Sequence, residues 1–348
     1  MNPSRYLYPW LKPTFQALIS DKLPQSLLIH GQAGIGKLGF GLTLANQILC
    51  EGSSSKPCGE CNACRWFAGG NHPDFIGVLP EELQNQLPHS AQASEGVVEK
   101  KSASEDKKLS KFIKIEQIRG CISGLELGTH RGGRKVLLIY PVEAMQTAAA
   151  NSLLKALEEP PPNTVMILIT HHLDQILPTI RSRCRLLGIG RPTDSESLLW
   201  LKSNPKISSQ PIEKIETLLR ECSGSPLMVL EQIENKSPID TSFILEALIK
   251  GKSLDWLTLS ESTSKLPILD VINLVQRWAF DLQLYKQTQK INYYPQYQTN
   301  LKKLSETAST EKILSFNKLV SEAKRRALHP LIPKLQLEAL LMQYSQIF

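Results

Sequence analysis

The sequence predicts an α/β fold, with a parallel sheet in the first half of the chain and helices alone in the second. Short apolar runs alternate with amphipathic stretches up to about residue 190, an order typical of parallel strands covered by helices on both faces. The first run leads into a glycine-rich loop and then a helical stretch, which is the context of a phosphate-binding loop. From Asp194 to Phe348 the pattern has helical periodicity and no convincing strand.

Five apolar segments predict the strands of the sheet in chain order. They are Leu27–Gly31, His72–Pro80, Arg134–Val142, Thr164–Thr170 and a short run within residues 183–190. Helices are predicted between them over Leu38–Leu49, Phe112–Leu127 and Asn151–Glu159, and three consecutive prolines end the last of these. Residues 81–110 are polar, charged and poor in aromatic side chains, so we expect a flexible loop there.

The glycine-rich loop fits the phosphate-binding pattern G-x-x-x-x-G-K-[ST] at every fixed position except the last. Gly31, Gly34, Gly36 and Lys37 are the candidate nucleotide-binding residues, but Leu38 stands where a serine or threonine would be. In such loops the lysine reaches the phosphate oxygens and the hydroxyl binds Mg²⁺, which leucine cannot do. The alternative is that the glycines are needed only for the strand-to-helix turn.

Four cysteines early in the chain have the spacing of a metal site. Cys58, Cys61 and Cys64 form C-x-x-C-x-x-C, and Cys50 lies just upstream. Four thiolates suit a tetrahedral structural zinc that leaves no open position for catalysis. An iron–sulfur cluster and a set of thiols without metal are the alternatives. The sequence therefore predicts bound Zn²⁺, with those two alternatives open.

Composition and charge describe an ordinary protein without a membrane segment. The net charge of +7 over 348 residues permits a polyanionic partner but also fits a mildly basic soluble protein. No apolar run approaches the roughly 20 residues of a membrane span, so we expect a cytoplasmic protein. Cytoplasmic thiols stay reduced, and we expect the remaining cysteines to be small buried residues. These are Cys121, Cys184 and Cys222.

Several short patterns occur in one order and carry a family resemblance. They are the phosphate loop, the four cysteines, "HPDF", "NSLLKALEEPP" (Asn151–Pro161), "TVMILIT" and "SRC" (Ser182–Cys184). Over roughly Leu27–Leu187 the chain resembles the AAA+ subunits of bacterial DNA polymerase III clamp loaders, and among these the delta-prime type. The resemblance implies an open ring of five subunits, with gamma/tau and delta subunits as partners, that loads the sliding clamp onto primed DNA.

The same resemblance implies three domains. A RecA-like AAA+ domain would cover residues 1–189, with a zinc module at 50–64 inserted in it. A helical lid would follow over residues 190–238, and an all-α collar that joins the subunits would cover residues 239–348. The proline- and serine-containing segment Asn235–Asp240 is typical of a boundary between domains.

In the motor subunits of this family, catalytic groups occupy positions at which this chain has other residues. The motor strand ends in an Asp-Glu pair that holds Mg²⁺ and positions water, where this chain has Tyr140 and Pro141, with Glu143 two residues further on. The lid arginine of the motors corresponds to Leu227. Together with Leu38, these changes predict that the chain has no intrinsic catalysis within the polymerase holoenzyme and that ATP binding is weak or absent.

Arg183 is the residue to which the resemblance gives a direct mechanistic role. In clamp loaders the SRC arginine reaches the γ-phosphate of ATP in the neighbouring subunit, where it acts in trans. The planar guanidinium fork suits phosphate oxygens. The alternative is an ordinary solvated basic run formed with Arg181 and Arg185.

The resemblance also places a helix at Lys114–Gly120 toward the DNA inside the ring. Lys114 and Arg119 are therefore candidates for sequence-independent phosphate contacts. Ordinary exposed helix charges are the alternative. A second possible basic patch consists of His130, Arg131, Arg134 and Lys135.

Two other functions compete with a delta-prime subunit that does not hydrolyse ATP. One is an ATP-hydrolysing gamma/tau-type motor subunit, which the residues at the catalytic positions argue against. The other is a zinc-dependent nucleic-acid-binding module unrelated to clamp loading, which the ordered set of family patterns argues against.

Overall fold

A computed structural model gives the fold and describes residues 7–53, 56–88, 109–234, 242–264, 266–327 and 333–348. The chain divides into two compact units, Met1–Ser197 and Leu198–Phe348. Within the described ranges, no helix is long and apolar enough to cross a membrane.

One parallel sheet of five strands organises the first unit. The strands are β1 (Ser26–His30), β2 (Phe75–Val78), β3 (Lys135–Ile139), β4 (Thr164–Thr170) and β5 (Arg185–Gly188). Their spatial order is β2-β3-β4-β1-β5, and all neighbouring pairs are parallel. The predicted parallel sheet is confirmed, and the β4 bounds are those predicted. All carboxyl ends lie at one edge of the sheet, where parallel α/β sheets place their sites.

Helices cover both faces of this sheet. They are α1 (Lys12–Ser20), α2 (Lys37–Leu49), α3 (Asn62–Ala68), α4 (Ile115–Glu126), α5 (Thr147–Glu158) and α6 (Pro178–Arg181). Because side chains alternate along a strand, β1 contributes Leu27 and Ile29 to one core and Leu28 to the other. The first core includes Phe40 of α2, and the second includes Leu153 of α5.

All three predicted helices begin at other residues than predicted, and helix α2 begins at Lys37, one residue before Leu38. Helix α4 begins at Ile115 rather than Phe112 because Ile113 forms a β-bridge with Met145. Helix α5 begins at Thr147, four residues before Asn151. The residues between Thr147 and Asn151 are alanines, which favour helices but carry little apolar periodicity. The sequence pattern therefore placed the start of α5 too late.

The predicted flexible loop over residues 81–110 is ordered at its start. Glu81–Gln86 form a 3₁₀ helix, and a carboxylate oxygen of Glu81 accepts the backbone N–H of Ser110 at 2.9 Å. Residues 89–108, which make up most of the predicted loop, lie outside the described residues. The two ends of the segment are therefore held side by side.

From Asp194 onward the described residues form helices and no strand, as predicted. The helices are α7 (Asp194–Ser203), α8 (Ile212–Glu221), α9 (Pro226–Glu234), α10 (Ser242–Leu248), α11 (Trp256–Thr263), α12 (Ile268–Thr288), α13 (Gln298–Thr307), α14 (Thr310–Arg326) and α15 (Pro333–Ser345).

Two separate apolar clusters pack these helices. One lies within Leu201–Val229 and the other within Ile244–Ile347. The second surrounds Trp278, whose indole N–H donates to the Tyr344 hydroxyl at 2.7 Å. That hydroxyl donates in turn to the Leu248 carbonyl at 2.9 Å. The lid, the collar and their boundaries at 189/190 and 238/239 stay predictions, and Asn235–Asp240 lies outside the described residues.

Candidate functional site

The glycine-rich loop connects β1 to α2 and has a backbone that only glycine adopts easily. Gly34 and Gly36 have φ angles of 73° and 94°. A Cβ atom on Gly36 would lie 2.3 Å from Cδ2 of Tyr8, and one on Gly31 would lie 2.4 Å from the Ile189 carbonyl oxygen. These contacts require glycine with or without a bound phosphate.

Lys37, the lysine of the phosphate-loop pattern, binds the loop itself. Its Nζ donates to the carbonyl of Gly31 at 2.6 Å and to that of Gln32, and the residue is only 2% exposed. Burial lowers the pKa of Lys37 to about 7, although the Glu143 carboxylate acts in the opposite direction. The ammonium group is thus turned into the loop, and a nucleotide phosphate would have to displace both bonds.

This burial makes a prediction about pH. Between pH 7 and 10 the unfolded chain binds more protons at Lys37 than the folded one, so stability should rise with pH. Relative to Lys37→Met, which has no amine, the wild type should gain about 2 kcal/mol of unfolding free energy between pH 7.5 and 9.5. Urea unfolding of both proteins at each pH measures this difference. Equal pH dependence in the two proteins would show that Lys37 keeps an ordinary pKa.

Two aromatic side chains near the start of the described chain cover the loop. The rings of Tyr8 and Trp10 stack with centroids 5.1 Å apart, and Tyr8 lies against Gly36. The indole N–H of Trp10 donates to the Ile35 carbonyl at 2.9 Å. Sequence reasoning missed this pair because no motif links residues so far apart in the chain.

The end of β3 has no carboxylate where motor subunits carry one. The Tyr140 hydroxyl lies 3.1 Å from Nε2 of His171, and burial lowers the pKa of His171 to about 3, so the ring is neutral. Glu143 accepts the backbone N–H of His171 at 2.8 Å. Leu38 packs against the apolar core. The Glu143 carboxylate is therefore bound to backbone, and a hydrocarbon side chain replaces the metal-binding hydroxyl.

The structure brings the four predicted metal ligands together. The sulfur atoms of Cys50, Cys58, Cys61 and Cys64 all lie within 4.8 Å of one another. The Cys50–Cys58 separation is 3.6 Å, and the Cys50–Cys61 and Cys58–Cys64 separations are 4.0 Å. A tetrahedral zinc with Zn–S bonds of about 2.3 Å places its sulfurs about 3.8 Å apart. The cluster can therefore hold a metal ion, and Cys50 belongs to it.

Backbone groups around the cluster support thiolate ligands. The Cys58 N–H donates to the Cys50 sulfur at 3.3 Å, and the Cys61 N–H donates to the Cys58 sulfur at 3.4 Å. Backbone N–H groups of Cys61 and Glu60 lower the pKa of Cys58 to about 6. Burial instead raises the pKa of Cys64, an effect that a bound cation would offset.

The cysteine insert is joined to the sheet domain by an ion pair and aromatic contacts. Arg131 makes two hydrogen bonds to Glu51, of 2.9 and 3.0 Å, and its guanidinium lies 5.1 Å from the centre of the Trp66 ring. Trp66 meets His72 edge-on. The Asp74 carboxylate, just before β2, accepts the His130 N–H at 2.8 Å, so "HPDF" contacts α3 through His72 and the segment before β3 through Asp74. The three other cysteines, Cys121, Cys184 and Cys222, are buried as predicted.

Arg183 lies on a short, well-anchored segment. It follows α6, between buried Ile180 and Cys184, and one third of its side chain is exposed. Its Nη1 donates to the Thr179 carbonyl at 2.9 Å, and its Nη2 lies 2.5 Å from the Glu158 carboxylate. Nη1 also donates to the Ser182 hydroxyl at 3.4 Å. The guanidinium is thus held by three groups, which an unpaired solvated charge would not be.

The candidate DNA-contacting residues are both exposed. Lys114 precedes α4 and pairs with Glu81 at 3.1 Å, and Arg119 lies on the outer face of α4. Their contact with DNA stays a prediction.

The prediction of a second basic patch is wrong. Lys135 is 3% exposed, and its Nζ donates to the carbonyls of Gly124 and Leu127, at 2.7 and 2.5 Å. It caps the C-terminus of α4, where carbonyls attract a cation. Arg131 is paired with Glu51, so this patch does not present four free cations.

Comparison with known proteins gives the family. A family model described as "DNA polymerase III, delta subunit" matches residues 11–193. DNA polymerase III subunit delta' of Pseudomonas aeruginosa is 35% identical over 64% of this chain, a region that spans only 60% of that protein's length. The Escherichia coli protein of that name is 30% identical over 72% of this chain and 69% of its own length. The Bacillus subtilis protein of that name is 32% identical over 51% of this chain and 45% of its own length. The chain belongs to the family of DNA polymerase III delta' subunits.

Proposed function

We propose that this chain is a clamp-loader subunit that hydrolyses no ATP itself and supplies Arg183 to the ATP site of a neighbouring motor subunit. Gamma/tau and delta subunits would be its partners in the ring, the sliding clamp and primed DNA would be the ring's substrates, and the site of action would be the cytoplasm. The observation that carries the proposal is the state of the phosphate loop: Lys37 is bonded to loop carbonyls.

Phosphoryl transfer needs groups that this loop lacks. Catalysis depends on placing Mg²⁺, the attacking water and charged side chains around the γ-phosphate. Here Leu38 lies at the metal-binding position, and Tyr140, which pairs with His171, stands at the end of the strand. Hydrolysis would require other groups to replace both the metal-binding hydroxyl and the carboxylate at the end of the strand. The gamma/tau-type alternative is therefore disfavoured, and the relatives named as delta' subunits favour the delta' type.

Arg183 has the chemistry and the setting for action in trans. It is always charged, and its fork can bind two phosphate oxygens at once. Its guanidinium is partly exposed on an anchored turn. In other phosphoryl-transfer systems, an arginine supplied in trans contributes about 10³–10⁵ in rate.

Two further roles belong to this proposal. The ion held by Cys50, Cys58, Cys61 and Cys64 would be Zn²⁺, which would link the insert and take no part in a reaction. Exposed Lys114 and Arg119 would contact DNA phosphates without reading sequence. A free nucleic-acid-binding module is not favoured, because the family match covers the whole sheet domain.

The isolated chain should show no ATP turnover above that of a Lys37→Ala control, because Mg²⁺ and water have no positioning groups. A coupled phosphate-release assay at saturating ATP measures this, and a purified motor subunit serves as the positive control. A rate that depends on Lys37 would mean that Glu143 replaces the missing carboxylates, and the proposal of a non-hydrolysing subunit would be wrong.

A further inference from the structure

We infer that Glu158 is a positioning residue for Arg183: it holds the guanidinium in the orientation from which it reaches a neighbour's phosphate. This inference rests on the proposed function. The Glu158 carboxylate lies 2.5 Å from Nη2 of Arg183. It comes from the C-terminal end of α5, just before β4, whereas Arg183 follows α6, just before β5, so the pair also joins two helices at the edge of the sheet where the strands begin.

A glutamate at this place is unfavourable for the helix that carries it. Glu158 is the last residue of α5, and the C-terminus of a helix repels negative charge and attracts cations. Pro160 follows closely and ends the helix, so the Glu158 backbone has a fixed position. Arg183 supplies a cation at this helix end in addition to Lys155 of the last turn. The unfavourable placement is explained if the carboxylate serves the arginine.

The contacts hold the fork without using all of its donors. A guanidinium has five N–H groups. Nη1 donates to the Thr179 carbonyl and lies 3.4 Å from the Ser182 hydroxyl, and Nη2 pairs with Glu158. Nε is buried and has no hydrogen-bond partner among the described residues, so it is not presented to a neighbour. The second N–H of Nη2 is therefore the donor left for a phosphate oxygen while Glu158 stays bound. About half of the Glu158 side chain and one third of the Arg183 side chain are exposed, so the pair lies where a neighbour can approach.

The expected size of the effect follows from this exposure. Partly exposed ion pairs change the population of an orientation by up to about 5-fold. Loss of Glu158 should therefore slow the one motor site that faces this subunit by about 2- to 5-fold, less than loss of Arg183 slows it, and the kcat of the whole complex should fall by part of that site's share. Because the arginine acts on the transferring phosphate, the decrease should appear in kcat, with the KM for ATP little changed.

The test is a double-mutant cycle in the assembled clamp loader. Four complexes are compared, with wild-type subunit, Glu158→Ala, Arg183→Ala and both changes together, by DNA-stimulated ATPase kinetics. Glu159→Ala is the matched control, since the neighbouring glutamate is exposed and no ion pair is found for it among the described residues. Glu158→Ala should lower kcat, and it should have no further effect when Arg183 is already alanine.

The outcomes separate this inference from the proposed function. If Arg183→Ala leaves kcat unchanged, the proposed function fails. If Arg183→Ala lowers kcat but Glu158→Ala leaves kcat unchanged or raises it, the positioning role is overturned. The positioning role is also overturned if Glu158→Ala lowers kcat further in the Arg183→Ala background. Glu158→Gln keeps an oxygen acceptor without the charge and should give an intermediate kcat. Thermal unfolding and gel filtration of the complex show whether Glu158→Ala destabilises α5. If it does, the kcat of Glu158→Gln tests the positioning role instead.

Discussion

Replacing Arg183 with alanine should lower the ATPase and clamp-loading rates of an assembled complex, although the change lies in a subunit that hydrolyses nothing. The subunit itself should stay folded, because the arginine is one third exposed and its ion pair with Glu158 lies at the surface. Assembly should also persist, since we expect the collar to join the subunits. Only the motor site that faces this subunit loses its arginine. That site should slow by at least about 10³-fold, so the total ATPase should fall by about one site's share.

Clamp loading should fall further than ATPase if the motor sites act in sequence. Steady-state ATP hydrolysis and fluorescence-detected clamp loading on primed DNA, in complexes checked by gel filtration, measure the two effects. Arg183→Lys should restore little, because an ammonium is a point charge and cannot bind two oxygens in a fork. Arg181→Ala is the matched control, as Arg181 is an exposed arginine two residues earlier. Unchanged rates in Arg183→Ala would show that Arg183 is an ordinary surface charge.

The sheet was predictable because its strands are buried on both faces. A strand covered on both sides must be apolar at nearly every position, so Thr164–Thr170 could be located with its observed bounds. Helix ends were less predictable, because the starts of α4 and α5 depend on a bridge between Ile113 and Met145 and on small residues without periodicity. The pattern indicates which elements exist, whereas tertiary contacts decide where they begin.

The candidate sites were predictable in composition but not in contacts. Cysteine spacing predicted all four members of the metal cluster because ligands close in sequence must be close in space. By contrast, Lys37 and Lys135 have the same charge as any surface lysine in the sequence, yet both are buried against carbonyls. Tyr8 over Gly36 and Glu158 beside Arg183 come from distant parts of the chain. Only the fold brings such pairs together.

Freshly purified protein should contain one equivalent of zinc, and its removal should weaken the cysteine insert without unfolding the sheet. The sulfur separations of 3.6 to 4.0 Å match a tetrahedral zinc site, whose loss commonly costs several kcal/mol of local folding free energy. Phe67 of α3 packs in the core against Phe75 with ring centroids 4.8 Å apart, so some destabilisation should reach β2. Plasma emission spectrometry gives the metal content. Proteolysis with and without chelator should show new cleavage within residues 50–68.

The contribution of each cysteine can be separated by single substitutions. Cys58→Ser and Cys50→Ser should each strongly lower the zinc content, because both sulfurs lie in the cluster, 3.6 Å apart. Cys121→Ala is the control, since that thiol is buried in another core and should leave the zinc content unchanged. Full zinc content in Cys50→Ser would reduce the site to three protein ligands.

Iron in place of zinc, with visible absorption that bleaches on reduction, would establish an iron–sulfur cluster. Protein without either metal would leave four reduced thiols, and the cluster would then owe its geometry to the N–H···S bonds alone.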